Sequence, residues 1–172
     1  TRRSSDLTIS DEKAELFQFD RFVKALSNAE TVLYIGDNAG EVAFDRLLVD
    51  EIHRRFPAAR IYFAVRGYPI INDITAEDAY FCGIDESAEI ISSGVPLPGC
   101  VLNEADPAFQ KLFWESDCVI SKGQGNFEAL SDVERDVYFL FMAKCSVIAD
   151  VVGAAVGAVL LLKNQHIHVQ SV

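Results

Sequence analysis

The stretch TVLYIGDNAGEVAFDRLLVDEIHRRF, residues 31–56, contains a short apolar run, a polar glycine-bearing turn and a longer amphipathic segment in unbroken succession. Thr31 to Ile35 is β-branched and aromatic and reads as a buried strand. Glu41 to Phe56 places Phe44, Leu47, Leu48, Ile52 and Phe56 on one side of a helix that Pro57 stops. Strand, tight turn and helix in that order open an α/β unit. Working outward, the runs Arg60 to Val65, Glu89 to Ser92, Cys118 to Ser121 and Cys145 to Ala149 read as further strands, and Ala158 to Leu162 as a sixth. Helical patterns lie between them. Asp11 to Leu26 carries Leu16, Phe19, Phe22, Val23 and Leu26 behind a Ser10 cap. Thr75 caps a short helix ending at Gly83, and Phe109 to Trp114 and Leu130 to Phe141 supply two more. The alternation predicts an α/β fold with about six strands, mostly parallel and covered on both faces.

At 172 residues and 50% hydrophobic, the chain suffices for one full core, so residues 1–172 are expected to form a single domain. The net charge of −11 opposes binding to nucleic acid or to an anionic membrane, and neither is expected as a partner. No apolar run approaches the roughly 20 residues that span a bilayer. Cys82, Cys100, Cys118 and Cys145 form no C-x-x-C pair and read as reduced thiols of a cytoplasmic protein. The opening Thr1-Arg2-Arg3-Ser4-Ser5 has neither an initiator methionine nor an apolar signal core, which suggests a fragment or processed chain. Trp114 and the phenylalanines read as core. His53 falls within a helix and His166 and His168 in a polar tail, so the histidines do not form a catalytic set.

In open α/β sheets ligands bind beyond the carboxyl ends of the strands. The first strand delivers Gly36-Asp37-Asn38-Ala39-Gly40-Glu41, an acid and an amide suited to a hard cation, although either could serve only as a helix cap. Asp73, in the segment after the second strand, reads as a third oxygen ligand beside Asp37 and Asn38, a set better matched to Mg²⁺, Mn²⁺ or Co²⁺ than to zinc. The third strand ends in Ser92-Ser93-Gly94, which can bind phosphate oxygens or form a plain polar turn. The fourth delivers Ser121-Lys122-Gly123-Gln124-Gly125-Asn126-Phe127-Glu128. There a lysine, free amides and a helix start make a phosphate cradle without the Walker or G-x-G-x-x-G spacing.

These segments resemble the damage-control phosphatases, the domain-of-unknown-function 89 proteins. The matching residues are Gly36-Asp37-Asn38-Ala39-Gly40-Glu41 with Asp45, then Arg66-Gly67-x-Pro69-Ile70-x-Asn72-Asp73-x-Thr75, then Ser92-Ser93-Gly94, Ser121 to Glu128 and Lys144. The resemblance implies a three-layer α/β/α Rossmann-like domain and divalent-metal-dependent hydrolysis of small phosphorylated metabolites, with Mn²⁺, Co²⁺, Ni²⁺ or Mg²⁺ as cofactor. It implies that Asp37, Asn38 and Asp73 ligate the metal, and that Ser93, Lys122, Gly123, Asn126 and Lys144 meet the substrate phosphate or its neighbourhood. It also implies a helical region upstream that is missing here. Faces left open by its absence could associate with that region or with a second copy. Lys144 fits the strand pattern awkwardly, because it would begin the expected Cys145 to Ala149 strand at the wrong sheet edge.

In the expected reaction the metal screens phosphoryl oxygens while Lys122 and loop amides stabilise developing charge, and the nucleophile is a water or Asp37 itself. Glu41 and Asp45, four residues apart, could support the ligands from behind or form a solvated acidic face. Two rivals stand beside this reading. One is a non-catalytic module binding metal or a phosphometabolite. The other is an S-adenosylmethionine-dependent carboxyl methyltransferase, opposed by the G-x-x-x-G spacing and by the absence of a ribose-binding acid after the second strand.

Overall fold

The computed structural model describes residues 16–164. Its centre is a six-stranded sheet of β1 (Thr31–Ile35), β2 (Arg60–Val65), β3 (Glu89–Ser92), β4 (Cys118–Lys122), β5 (Tyr138–Met142) and β6 (Val159–Lys163), in the spatial order β3-β2-β1-β4-β5-β6. The first five strands are parallel, and β6 closes one edge antiparallel to β5. The chain lays β2 and β3 to one side of β1 and then returns to place β4 on the other. This reversal is a topological switch point, and it opens a crevice at the carboxyl ends of β1 and β4.

Two helical layers cover the sheet. On one face, α1 (Phe19–Ser27), α2 (Val42–Arg55) and α3 (Ala76–Phe81) pack on Val32, Tyr34, Ile61, Phe63 and Ile120. On the other, α4 (Pro107–Glu115), α5 (Gln124–Leu130) and α6 (Ser146–Val152) pack on Leu33, Ile35, Ala64, Val119 and Phe139. Successive strand residues point to opposite faces and both faces are buried, which is why the strands read as continuous apolar runs. Phe127 anchors the second layer, stacked on Phe141 at 4.6 Å and edge-on to Phe139 at 5.2 Å. The cap expected at Thr75 forms, and as a full capping box, with Thr75 Oγ1 accepting from the Asp78 amide and Asp78 Oδ2 accepting from the Thr75 amide at 2.9 Å. Gly83 then ends that segment in the left-handed region, at φ 74°.

Several expected elements differ from those observed. The predicted helix Leu130 to Phe141 is split: α5 ends at Leu130, and Tyr138–Met142 is a strand. Cys145 to Ala149, predicted as a strand, lies in α6 and its cap. β5 takes the position beside β4 and β6 the outer edge of β5, so the β-branched segment between them buries Ile148 and Ala149 as a helix on the sheet face. Among the described residues the helix expected over Asp11 to Leu26 is interrupted before Phe19, because Gln18 donates its amide to the Leu161 carbonyl at 2.7 Å and Phe17 bridges to the edge strand. The Ser10 cap and residues 11–15 lie outside the described residues, as do His166 and His168. On α2 the buried face is Val42, Asp45, Val49 and Ile52, while Phe44 and Leu47 are 73% and 66% exposed. Trp114 is 52% exposed, resting edge-on against Phe113. All four cysteines are free, and no helix among the described residues is long and apolar enough to cross a membrane.

Candidate active site

Asp37 and Asn38 follow β1, and Asp73 comes from the loop after β2. A short antiparallel bridge between Asn38 and Asp73 aligns them: the Ile74 amide donates to the Asp37 carbonyl at 2.8 Å, and the Ala39 amide to the Asn72 carbonyl at 2.9 Å. The two carboxylates and the amide therefore lie side by side on a backbone frame held at both ends. Asn38 also caps the 3-10 turn Ala39–Glu41 through Oδ1, which accepts from the Gly40 amide at 2.7 Å. A carbonyl oxygen has two lone pairs, so this cap leaves one for a ligand.

Burial and the neighbouring Asp73 charge push the Asp37 carboxyl up to about 6, against the opposing pull of Arg66 and, more weakly, Lys144. Two carboxylates and an amide with no soft donor fit a hard divalent cation, and their mutual repulsion is the feature that such a charge would relieve. Among the described residues no group of three or more histidine, cysteine, aspartate and glutamate side chains is arranged to hold a metal. The candidate set has only two such members, Asp37 and Asp73, with an asparagine as the third.

Lys122 closes β4 on the α2 side. Its Nζ donates to Asp45 Oδ1 at 2.7 Å and to Glu41 Oε2 at 3.3 Å. Asp45 is 2% exposed and also accepts from the Tyr34 hydroxyl at 2.7 Å, which explains why α2 turns Asp45 inward and Phe44 outward. Glu41 and Asp45 thus stand behind Lys122. Gly123 turns the chain at φ 81° and ψ 155°, and a Cβ there would lie 1.9 Å from Asp37 Oδ2. Only glycine lets the β4 loop approach the acid so closely.

Lys144 follows the end of β5, on the same sheet edge as the other site residues, and its charge favours the ionised form of Asp37. The awkward placement expected from sequence disappears because the strand lies before Lys144 rather than after it. The Lys144 amide donates to Gln124 Oε1 at 2.8 Å, tying this loop to the start of α5. Ser93 and Asn126 are both fully buried. Ser93 Oγ accepts from the Val95 amide at 3.4 Å and shapes the turn after β3. Asn126 points inward, as does a residue to which the sequence reading gave no role, Arg66. Arg66 Nε donates to Asp73 Oδ2 and Nη2 to Asn126 Oδ1, each at 2.7 Å. The signal for Arg66 was its place directly after the apolar run Ile61 to Val65, where a charge that enters the interior has to be paired.

The fold and this crevice define a doubly wound α/β protein with an acidic, lysine-flanked crevice at its switch point. The model of the damage-control phosphatase ARMT1-like domain matches residues 3–160, and the chain belongs to that family. It is 41% identical over 141 residues to an uncharacterised protein of Methanocaldococcus jannaschii, a match covering 80% of this chain and 46% of the relative. A damage-control phosphatase of Pyrococcus horikoshii is 36% identical over 156 residues, covering 90% and 52%. The crystal structure of a DUF89 family protein from Pyrococcus horikoshii superposes with a TM-score of 0.82 at 35% identity, covering 87% of this chain and 52% of that one. The chain spans about half the length of the curated relatives it matches.

Proposed function

We propose that this chain carries the catalytic site of a divalent-metal-dependent phosphatase that hydrolyses phosphate monoesters of small metabolites, such as sugar phosphates or damaged phosphometabolites. The observation that carries this reading is the Asn38–Asp73 bridge, which sets Asp37 and Asp73 beside each other, with Gly123 of the lysine-bearing β4 loop packed against Asp37 in the β1–β4 crevice. Asp37, Asn38 and Asp73 would hold Mn²⁺, Co²⁺, Ni²⁺ or Mg²⁺, which supplies Lewis-acid neutralisation of phosphoryl oxygens. Four carboxylates, Asp37, Glu41, Asp45 and Asp73, stand against the three cations Arg66, Lys122 and Lys144, so the residues alone repel an anion. A divalent ion reverses that balance and makes a dianionic phosphate welcome.

Lys122 uses two of its three N–H groups on Asp45 and Glu41, and the third is left for a phosphoryl oxygen. Asp45, itself held by Tyr34, keeps that ammonium charged and placed. Lys144 adds a second positive charge from β5. Such fixed charges stabilise the transition state without reorganising during the reaction. The attacking group is a water or the Asp37 carboxylate. Against a methyltransferase, β2 is followed directly by buried Arg66, a cation where a ribose-binding acid would stand.

The test is phosphate release from a panel of sugar phosphates and a chromogenic ester, with each metal added or chelated. Metal-dependent release lost in Asp73→Ala supports the proposal. Release that survives chelation, or no release by a protein that still binds metal, overturns it.

A further inference from the structure

Asn126, expected to contact the substrate, is 0% exposed, and its side-chain bonds all run inward. Oδ1 accepts from Arg66 Nη2 at 2.7 Å, while Nδ2 donates to the Gly36 carbonyl at 3.1 Å and the Lys122 carbonyl at 2.7 Å. Gly36 immediately precedes Asp37. Arg66, with no exposed side-chain surface, holds Asp73 Oδ2 through Nε and lies 3.9 Å from Asp37 Oδ1 through Nη2. Two buried side chains therefore join the ends of β1, β2 and β4, the three strands that deliver the acidic pair and the lysine. The Asn38–Asp73 bridge joins the loops after β1 and β2, but backbone pairing between β1 and β4 ends at Ile35 and Ser121, so the acid-bearing loops need another constraint to keep one separation from Lys122.

We propose that Arg66 and Asn126 are positioning residues, a buried crosslink that sets the acidic pair Asp37 and Asp73 at a fixed distance and orientation from Lys122. The consequence for metal binding rests on the function proposed above; the crosslink itself rests on geometry alone. Charge at position 66 is not sufficient. The flat guanidinium presents Nε and Nη2 along one edge, to Asp73 and Asn126 respectively, a span that the point charge of a lysine does not reproduce.

The experiment measures Mn²⁺ affinity of the purified protein by electron paramagnetic resonance for wild type, Arg66→Lys, Asn126→Ser and the double variant, with circular dichroism to confirm folding. Groups that orient metal ligands typically change affinity by about 10–100-fold when removed, and each single variant is expected to fall in that range. The double variant is expected to be no weaker than the weaker single, because both changes cut the same link. A folded Arg66→Lys with wild-type affinity, or losses that multiply in the double variant, overturns the proposal; if Arg66→Lys does not fold, Asn126→Ser decides it. A wild type that binds no Mn²⁺ overturns the metal reading instead. The crosslink is then tested without metal by hydrogen exchange: faster exchange of the amides at 36–40 and 122–126 in either variant supports it, and unchanged exchange overturns it.

Discussion

Replacing Gly123 with alanine perturbs the site in two ways that can be measured separately. The backbone at φ 81° and ψ 155° lies in a region that residues with a Cβ almost never occupy, at a cost of about 1–3 kcal/mol. For a domain of this size each kcal/mol lowers Tm by about 2–4 °C. The added Cβ would also sit 1.9 Å from Asp37 Oδ2 and 2.2 Å from its Cγ, so the carboxylate must retreat by about 1 Å or more. A misplacement of that size costs about 100-fold in a reaction that depends on alignment. Gly153→Ala is the control, since Gly153 has φ 68° with no atom within 4 Å and incurs only a left-handed backbone cost of about 1–2 kcal/mol. Thermal melts followed by circular dichroism, with Mn²⁺ affinity and phosphate release measured on the folded protein, compare the two. Both variants should lose stability, and only Gly123→Ala should lose affinity and turnover. Wild-type Mn²⁺ affinity and turnover in Gly123→Ala would refute the close approach of the β4 loop to Asp37.

Burial pushes the Cys100 and Cys118 thiols up to about 12, and burial with the Asp45 charge raises Tyr34 well above its usual value. The folded state then holds these protons more tightly than the unfolded chain, so their contribution is complete below the ordinary thiol value of 9.0 and is lost as pH rises from there towards 12. Urea titrations across that window should show falling stability; a flat profile would contradict the burial. Cys145 is exposed, whereas Cys100 and Cys118 are buried, so a maleimide should modify Cys145 quickly and the other two only after unfolding, as read by peptide mass spectrometry. Phe127→Ala removes a wholly buried ring from between Phe139 and Phe141 and should cost about 3–5 kcal/mol in urea unfolding, because the rigid sheet behind it cannot collapse into the space.

Residues 32–35 and 61–65 were legible as strands because a strand buried on both faces has to be apolar at every position, whereas the half-exposed edge strand 89–92 showed only as the β-branched pair Ile90 and Ile91 between polar ends. The same rule failed after residue 130. Leu130, Val133, Val137 and Phe141 recur at helical spacing, and Ser146 to Val152 is rich in β-branched residues, so local pattern favoured the wrong element in each segment. Tertiary pairing decided both: Tyr138–Leu140 align with Ile120–Lys122, and the outer edge of β5 is taken by β6, which leaves the segment between them to pack as a helix on the sheet face. On α2 the apolar count pointed to Phe44 and Leu47, but the inward face is the one that brings Asp45 to Lys122 and Tyr34.

By itself the sequence determined where acids, amides, a lysine and glycines stand at the strand ends, because those are local facts of the chain. It also determined the α/β alternation, through hydrophobic period and turn residues. Only the tertiary structure decided how those loops meet. The β1–β4 reversal brings residues 37, 73 and 122 to one crevice, and the strand shift to 138–142 places Lys144 at their edge. The tertiary structure also buries Asn126 and joins it to Arg66. Those outcomes depend on pairing between segments as many as 90 residues apart, as between Asn126 and Gly36, and no local pattern encodes which segment a buried polar group will find as its partner.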